Sequence, residues 1–217
     1  MTRTERPNLP RICQGDIIRD VSYLDGVSES AGVLEISRLD FPLVIVLTQD
    51  CELEQEHQMR VQPARNQDKW LVSVLVAPLY NAQHVYRGEH LSELNLAMQP
   101  INQRKTPGTF LRNNDIPRYH YLEFAPEVPI VPSVIDFKHY FSVNAENLRE
   151  RKKSCFVCMV APLFREAVSH RFAAYLSRIG LPEPAAAEIG NHATAQLLPE
   201  DTPAPSHPMR QSQPENL

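Results

Sequence analysis

The residues best suited to chemistry stand in succession at Thr48-Gln49-Asp50-Cys51-Glu52: a hydroxyl, an amide, an acid, a thiol and a second acid. Two carboxylates this close can work as an acid/base pair or hold a divalent cation. Asp50 equally suits the cap of a helix, where its oxygen accepts a backbone N–H. A thiol becomes a nucleophile when positive charge or a helix N-terminus stabilises its thiolate. Cys51 has acids on both sides instead. If the strand before it continues, Cys51 points away from Asp50 and Glu52, and it reads as a small core residue. His57 follows in a polar stretch and reads as exposed.

Other motifs carry less. Cys155-Phe-Val-Cys158 has the spacing of zinc and redox pairs, but a structural zinc site needs a second pair, and Cys13 and Cys51 are single. His120 and His139 are not spaced as a pair either. Both cysteines read as ordinary thiols, and no metal site is assigned. Phe110–Tyr121 is basic and aromatic. Arg112 and Arg118 could meet phosphates, while Tyr119, His120 and Tyr121 could stack on unpaired bases. The competing reading is a loop of solvated arginines over packed tyrosines. Arg149–Lys153 reads as a solvated turn. There is no Gly-rich phosphate loop, no His-Glu-x-x-His and no Gly-x-Ser-x-Gly. Nucleotide-driven, zinc-protease and esterase functions therefore lack support, and no cofactor is expected.

These residues need a frame. Phe41-Pro42-Leu-Val-Ile-Val-Leu47 is a short, β-branched apolar run, the pattern of a strand buried on both faces. Its end would deliver Thr48 and Asp50 to a rim. Gly15–Leu24 reads as a first strand and Gly26–Gly32 as a loop. A second strand from Val33 leads through a Leu39-Asp40 turn into Leu43–Thr48. Residues 52–66 read as a helical turn running into a loop. Further strands are expected at 69–79, 118–122, 133–143 and 154–160, and a short helix at 90–98. Phe164, Val168, Phe172, Tyr175 and Ile179 recur at helical spacing after Pro162, and Gly180 with Pro182 stops that helix. Strands without alternating helices favour an antiparallel sheet over a doubly wound one. The expected organisation is an N-terminal arm over 1–12, one domain over 13–180 with an inserted loop region at 80–130, and a Pro-rich, largely disordered tail over 181–217.

The totals fit a soluble chain of 217 residues, with 42% hydrophobic and 22% charged residues. A formal charge of −4 gives no overall attraction for nucleic acid, so any such contact needs a local patch. Six arginines meet eleven acids in residues 1–60, whereas 102–121 and 149–153 are locally basic. No apolar run approaches the ~20 residues of a membrane span. Met1–Arg11 is polar, which predicts no secretory signal. A cytoplasmic location with reduced thiols and no membrane partner follows.

Several pieces, taken in order, resemble the PemK/MazF-like toxins, small β-barrels that cut RNA. They are Gly15-Asp16-Ile17, Pro42–Thr48, Val74-Leu-Val-Ala-Pro-Leu79, Val134-Ile-Asp136 and the helix from Pro162. The resemblance spans most of residues 15–179. It implies an α+β fold, with a compact curved antiparallel sheet or small β-barrel and a C-terminal helix. It implies a bacterial protein of a toxin–antitoxin or defence system, with RNA and a cognate protein as partners. The family's strand-end hydroxyl maps to Thr48. Its arginine before the proline is Phe41 here. An endoribonuclease on this frame would use Thr48 to position the phosphate, Asp50 as base and Arg118 as cation, with Arg112, Arg118, Tyr119 and Tyr121 on the RNA. Two alternatives stand beside it: a non-catalytic interaction module on the same fold, and a metal-dependent enzyme using Asp50 and Glu52. Asp50-Cys51-Glu52 also resembles an acid-Cys-acid signature of uncharacterised bacterial proteins.

Overall fold

The computed structural model describes residues 1–5, 9–61, 66–101 and 109–178. Met1–Arg178 form one compact unit. The expected tail, 181–217, lies outside the described residues, as do Arg104 and Lys105 of the basic stretch.

The architecture is α+β. In chain order the strands are β1 (Thr4–Glu5), β2 (Asp16–Ser30), β3 (Val33–Val46), β4 (Ser73–Pro78), β5 (Tyr80–Asn81), β6 (Tyr119–Leu122), β7 (Ser133–Asp136), β8 (Phe141–Asn144) and β9 (Phe156–Val160). The helices are α1 (Asp50–Val61), α2 (Ala82–Arg87), α3 (Thr109–Arg112), α4 (Ala145–Cys155) and α5 (Pro162–Leu176). A six-stranded sheet has the order β1-β9-β2-β3-β4-β8, and a three-stranded sheet the order β5-β7-β6. Every pairing is antiparallel. β1 and β8 are open edges, so the described residues form no closed barrel.

The apolar run of β3 is unbroken because both faces are covered. Ile17 and Ile45 pack with Leu122, Ile135 and Phe137 and with Val168 and Phe172 of α5. Ile18, Val44 and Val46 pack on the other side with Leu53 of α1 and Ala145 and Leu148 of α4. Among the described residues, no helix is long and apolar enough to cross a membrane.

Local chemistry redraws several expected elements. Of the expected Gly26–Gly32 loop only Ala31–Gly32 turns the chain, and Gly26–Ser30 and the Leu39-Asp40 turn are strand. The β2–β3 ladder runs from Ile17↔Ile45 to Ser30↔Val33, with a bulge between Leu24 and Gly26. Ala31 (φ 51°) and Gly32 (φ 78°) supply the two positive φ angles that a tight hairpin turn requires. The single strand expected over 133–143 is two strands, in different sheets. Asp136 breaks it: its side chain accepts the Lys138 N–H (3.0 Å) and its carbonyl accepts the His139 N–H (2.8 Å), which turns the chain. The short helix expected at 90–98 is only a 3-10 turn, Ser92–Leu94. The inserted region holds α2, α3 and β6.

Two corrections concern charged segments. After Asp50 the chain is a twelve-residue helix rather than a turn and loop. Its apolar content is too low for periodicity to reveal it. Leu53 anchors it, and buried Glu56 accepts bonds from Arg60 and from Arg149 of α4 (2.9 and 3.1 Å). Arg149–Lys153 is therefore no solvated turn but part of α4, with Arg149 and Lys152 turned inward.

Candidate functional site

Three polar clusters sit on this frame. The first is at the end of β3. Thr48 Oγ1 accepts the Leu75 N–H at 2.7 Å, tying β3 to β4. Asp50 opens α1, and its carboxylate takes a two-point bond from Arg11 (2.9 and 3.0 Å) and a backbone bond from Gln14 (3.1 Å). Arg165 of α5 stands 3.4 Å from its other oxygen. Burial works to raise the pKa of Asp50, but the Arg11 and Gln14 bonds outweigh it and leave the pKa lowered. A lowered pKa makes Asp50 a weaker base than a free carboxylate. Its oxygens tie the N-terminal segment, α1 and α5 together and do not cap α1.

Helical geometry also separates the acid-Cys-acid group. Residues two apart on a helix do not share a face. Asp50 turns to Arg11, while Cys51 and Glu52 are exposed. Cys51 is thus not the core residue its strand reading implied. Cys158 is a buried core residue, and Cys155 ends α4. Cys13 is buried, and burial followed by the nearby Asp16 pushes its pKa up to about 11, which leaves it an inert thiol at pH 7. Its N–H donates to Asp16 (2.7 Å), and Lys152 pairs with the same carboxylate at 2.7 Å. His57 is half-buried on α1. Among the described residues, no group of three or more His, Cys, Asp or Glu could hold a metal ion.

The second cluster surrounds Asp136, which has no solvent exposure. Arg118 grips both of its oxygens (2.8 and 2.5 Å), and His90 Nε2 donates at 3.2 Å. Burial would raise the Asp136 pKa, but bonds from His90, Arg118 and the Lys138 N–H lower it to about 2. An aspartate on an imidazole is the arrangement of an acid–base pair. Here the His90 ring is wholly enclosed and its Nδ1 has no partner among the described residues. The pair fastens the 3-10 segment to β7. Arg118 also lies 5.0 Å over the buried Tyr119 ring. Phe41 packs edge-on against His139 (5.3 Å) and beside Phe141.

The third cluster is a hollow of about 420 Å3 between α2, α3 and β6, lined by Gln83, Tyr86, Thr109, Arg112 and Tyr121. The Arg112 guanidinium lies 5.8 Å over the Tyr121 ring, and its Nε donates to the Tyr121 hydroxyl at 3.4 Å. Burial raises the pKa of Tyr86, neighbouring Tyr121 adds to this, and Arg112 opposes it. Tyr121 is buried and Tyr86 is half-buried.

The predicted residues therefore divide. Arg112 and Tyr121 meet in the hollow. Arg118 and Tyr119 face Asp136. Thr48 and Asp50 stand at the β3 end, and among the described residues no hydrogen bond or ion pair joins either to Arg118. Sequence reasoning passed over Arg11, Arg165, His90 and Tyr86. Only Asp136 carried a signal, as part of the Val134-Ile-Asp136 piece. Compared with known proteins, the chain matches no family model and no curated protein.

Proposed function

We propose that this chain is a cytoplasmic, PemK/MazF-like protein that contacts single-stranded RNA through the hollow between α2 and β6. The observation that carries this reading is the convergence of Arg112, Tyr86 and Tyr121 on one concave surface. An arginine beside an aromatic ring suits a phosphate next to a stacked base. The order of elements from Gly15 to α5 supports the family resemblance, although the sheet is not closed into a barrel among the described residues. Contact without cleavage is the favoured form, because Phe41 fills the family's arginine position.

Fluorescence anisotropy with a single-stranded RNA of about 16 nucleotides tests it. Tyr86→Ala is expected to weaken binding about 10-fold, in line with the loss of one stacked base. Arg112→Ala is expected to weaken binding and to lower the salt slope by about 0.7. No binding at low salt, or binding that neither variant changes, would overturn the proposal.

Cleavage by Thr48, Asp50 and Arg118 is the second reading. The observation in its favour is the pair of arginines, Arg11 and Arg165, that stand at Asp50 and could supply charge to a phosphate. RNA cut by the wild type and spared by Asp50→Ala would support it. Cleavage equal in both would remove Asp50 from the chemistry.

A further inference from the structure

Among the described residues, the outer part of the β2–β3 hairpin has no neighbouring strand. β9 pairs with β2 only at Asp16–Ile18, and β4 pairs with β3 only at Val44–Val46. From Ser22 to Asp40 the hairpin is a two-stranded arm. Residues opposite one another in a ladder share a face. On one face, Val21↔Phe41 and Tyr23↔Leu39 pack into the core at the arm's base. Beyond the bulge that face turns polar, with Gly26↔Ser37 and Ser28↔Glu35.

The other face is the unusual one. It carries Leu24↔Arg38, then Val27↔Ile36, then Glu29↔Leu34. Leu24, Val27, Ile36 and Leu34 are each 55% to 60% exposed. Four large apolar residues thus form one unpartnered stripe, with a shallow hollow at Gly26, Val27 and Ile36.

The stripe is self-complementary. Val27 and Ile36 mark its centre. A leucine lies to each side, Leu24 towards the base and Leu34 towards the tip. The base carries Arg38 and the tip carries Glu29. A two-fold axis that sets the base of one arm against the tip of another brings Arg38 within reach of Glu29 of the second copy, and apolar residues meet at every level between. Within the chain, Arg38 has only an exposed pair with Asp40 at 3.3 Å, which is weak enough to exchange.

We infer that this arm packs head-to-tail on the arm of a second copy of the chain, forming a two-fold dimer. The face is roughly 25 Å by 10 Å at ordinary strand spacing. Two such faces cover about 500 Å2 in all, below the size of a standard interface, so the dimer is weak and transient.

Sedimentation velocity from about 1 to 100 μM tests the proposal on the full chain. The wild type is expected to shift from monomer to dimer across this range. Ile36→Lys is expected to stay monomeric with an unchanged circular dichroism spectrum, because the arm lies outside the core. Glu29→Arg and Arg38→Glu are each expected to weaken association about 10-fold, and the double variant to restore it. A wild type that stays monomeric throughout would assign the face to another partner and overturn the proposal. A dimer indifferent to Ile36→Lys, or single charge variants that the double does not rescue, would overturn it as well.

Discussion

Among the described residues, the buried carboxylates Asp16, Glu56 and Asp136 and the half-buried Asp50 are each matched to a cation, and the match decides what each can do. Asp16 has no exposure and takes Lys152 at 2.7 Å. Asp136 takes Arg118, Glu56 takes Arg60 and Arg149, and Asp50 takes Arg11 and Arg165. Burying a charge is costly unless a partner and hydrogen bonds compensate it, and removing one partner strands the other. Lys152→Ala is therefore expected to lower stability by about 3–5 kcal/mol, measured by urea unfolding. Adding Asp16→Asn to that variant should recover part of the loss. Unchanged stability in Lys152→Ala would mean that the Asp16 pair contributes nothing.

At the scale of elements, the hollow depends on how α2 ends. Gly88 caps it at φ 76°, with its N–H turned back to the His84 and Val85 carbonyls. A Cβ there would lie 2.1 Å from the Met98 carbonyl oxygen. Backbone would have to move, and an alanine would also be strained at that φ. Gly88→Ala is expected to cost about 2–3 kcal/mol and lower Tm by about 5–10 °C. A calorimetric Tm within a degree of wild type would show that the 98–99 segment yields freely. The same variant should weaken RNA binding if the hollow is the contact surface, because α2 carries Tyr86.

For the molecule as a whole, acid exposes the balance of buried groups. His120 packs beside Phe137 (6.3 Å), and burial, then the charge of Arg171, lowers its pKa to about 4 from 6.5. The unfolded chain then binds its proton first, so this contribution is full above pH 6.5 and fades as the pH falls to about 4. It amounts to about 3 kcal/mol by linkage. Asp136 follows the same sign: its share is present above 3.8 and is lost as the pH falls towards about 2. Thermal unfolding from pH 7.5 downwards should show a first decline beginning near 6.5. His120→Gln should lessen that decline, leaving the share of His139, whose pKa burial also lowers, and the later decline of Asp136. A profile that His120→Gln leaves unaltered would contradict this account.

What the sequence determined by itself was set by short-range pattern. The apolar run of β3, the strand after Gly15 and the helix from Pro162 follow from side-chain periodicity within a few residues, and all three stand in the structure, where the helix ends at Leu176 and its expected Gly180 stop lies outside the described residues. The antiparallel class followed from their order. Tertiary structure decided the rest, because it rests on partners far apart in the chain. Asp50 meets Arg11 and Arg165 only when β3, the N-terminal segment and α5 converge. His90 reaches Asp136 across 46 residues. Arg149 and Lys152 read as solvated until α1 and β2 supply Glu56 and Asp16. α1 itself shows almost no apolar stripe, since contacts from α4 hold it as much as its own Leu53. A charge placed in a sequence has no inherent address; packing assigns its partner, and with the partner its chemistry.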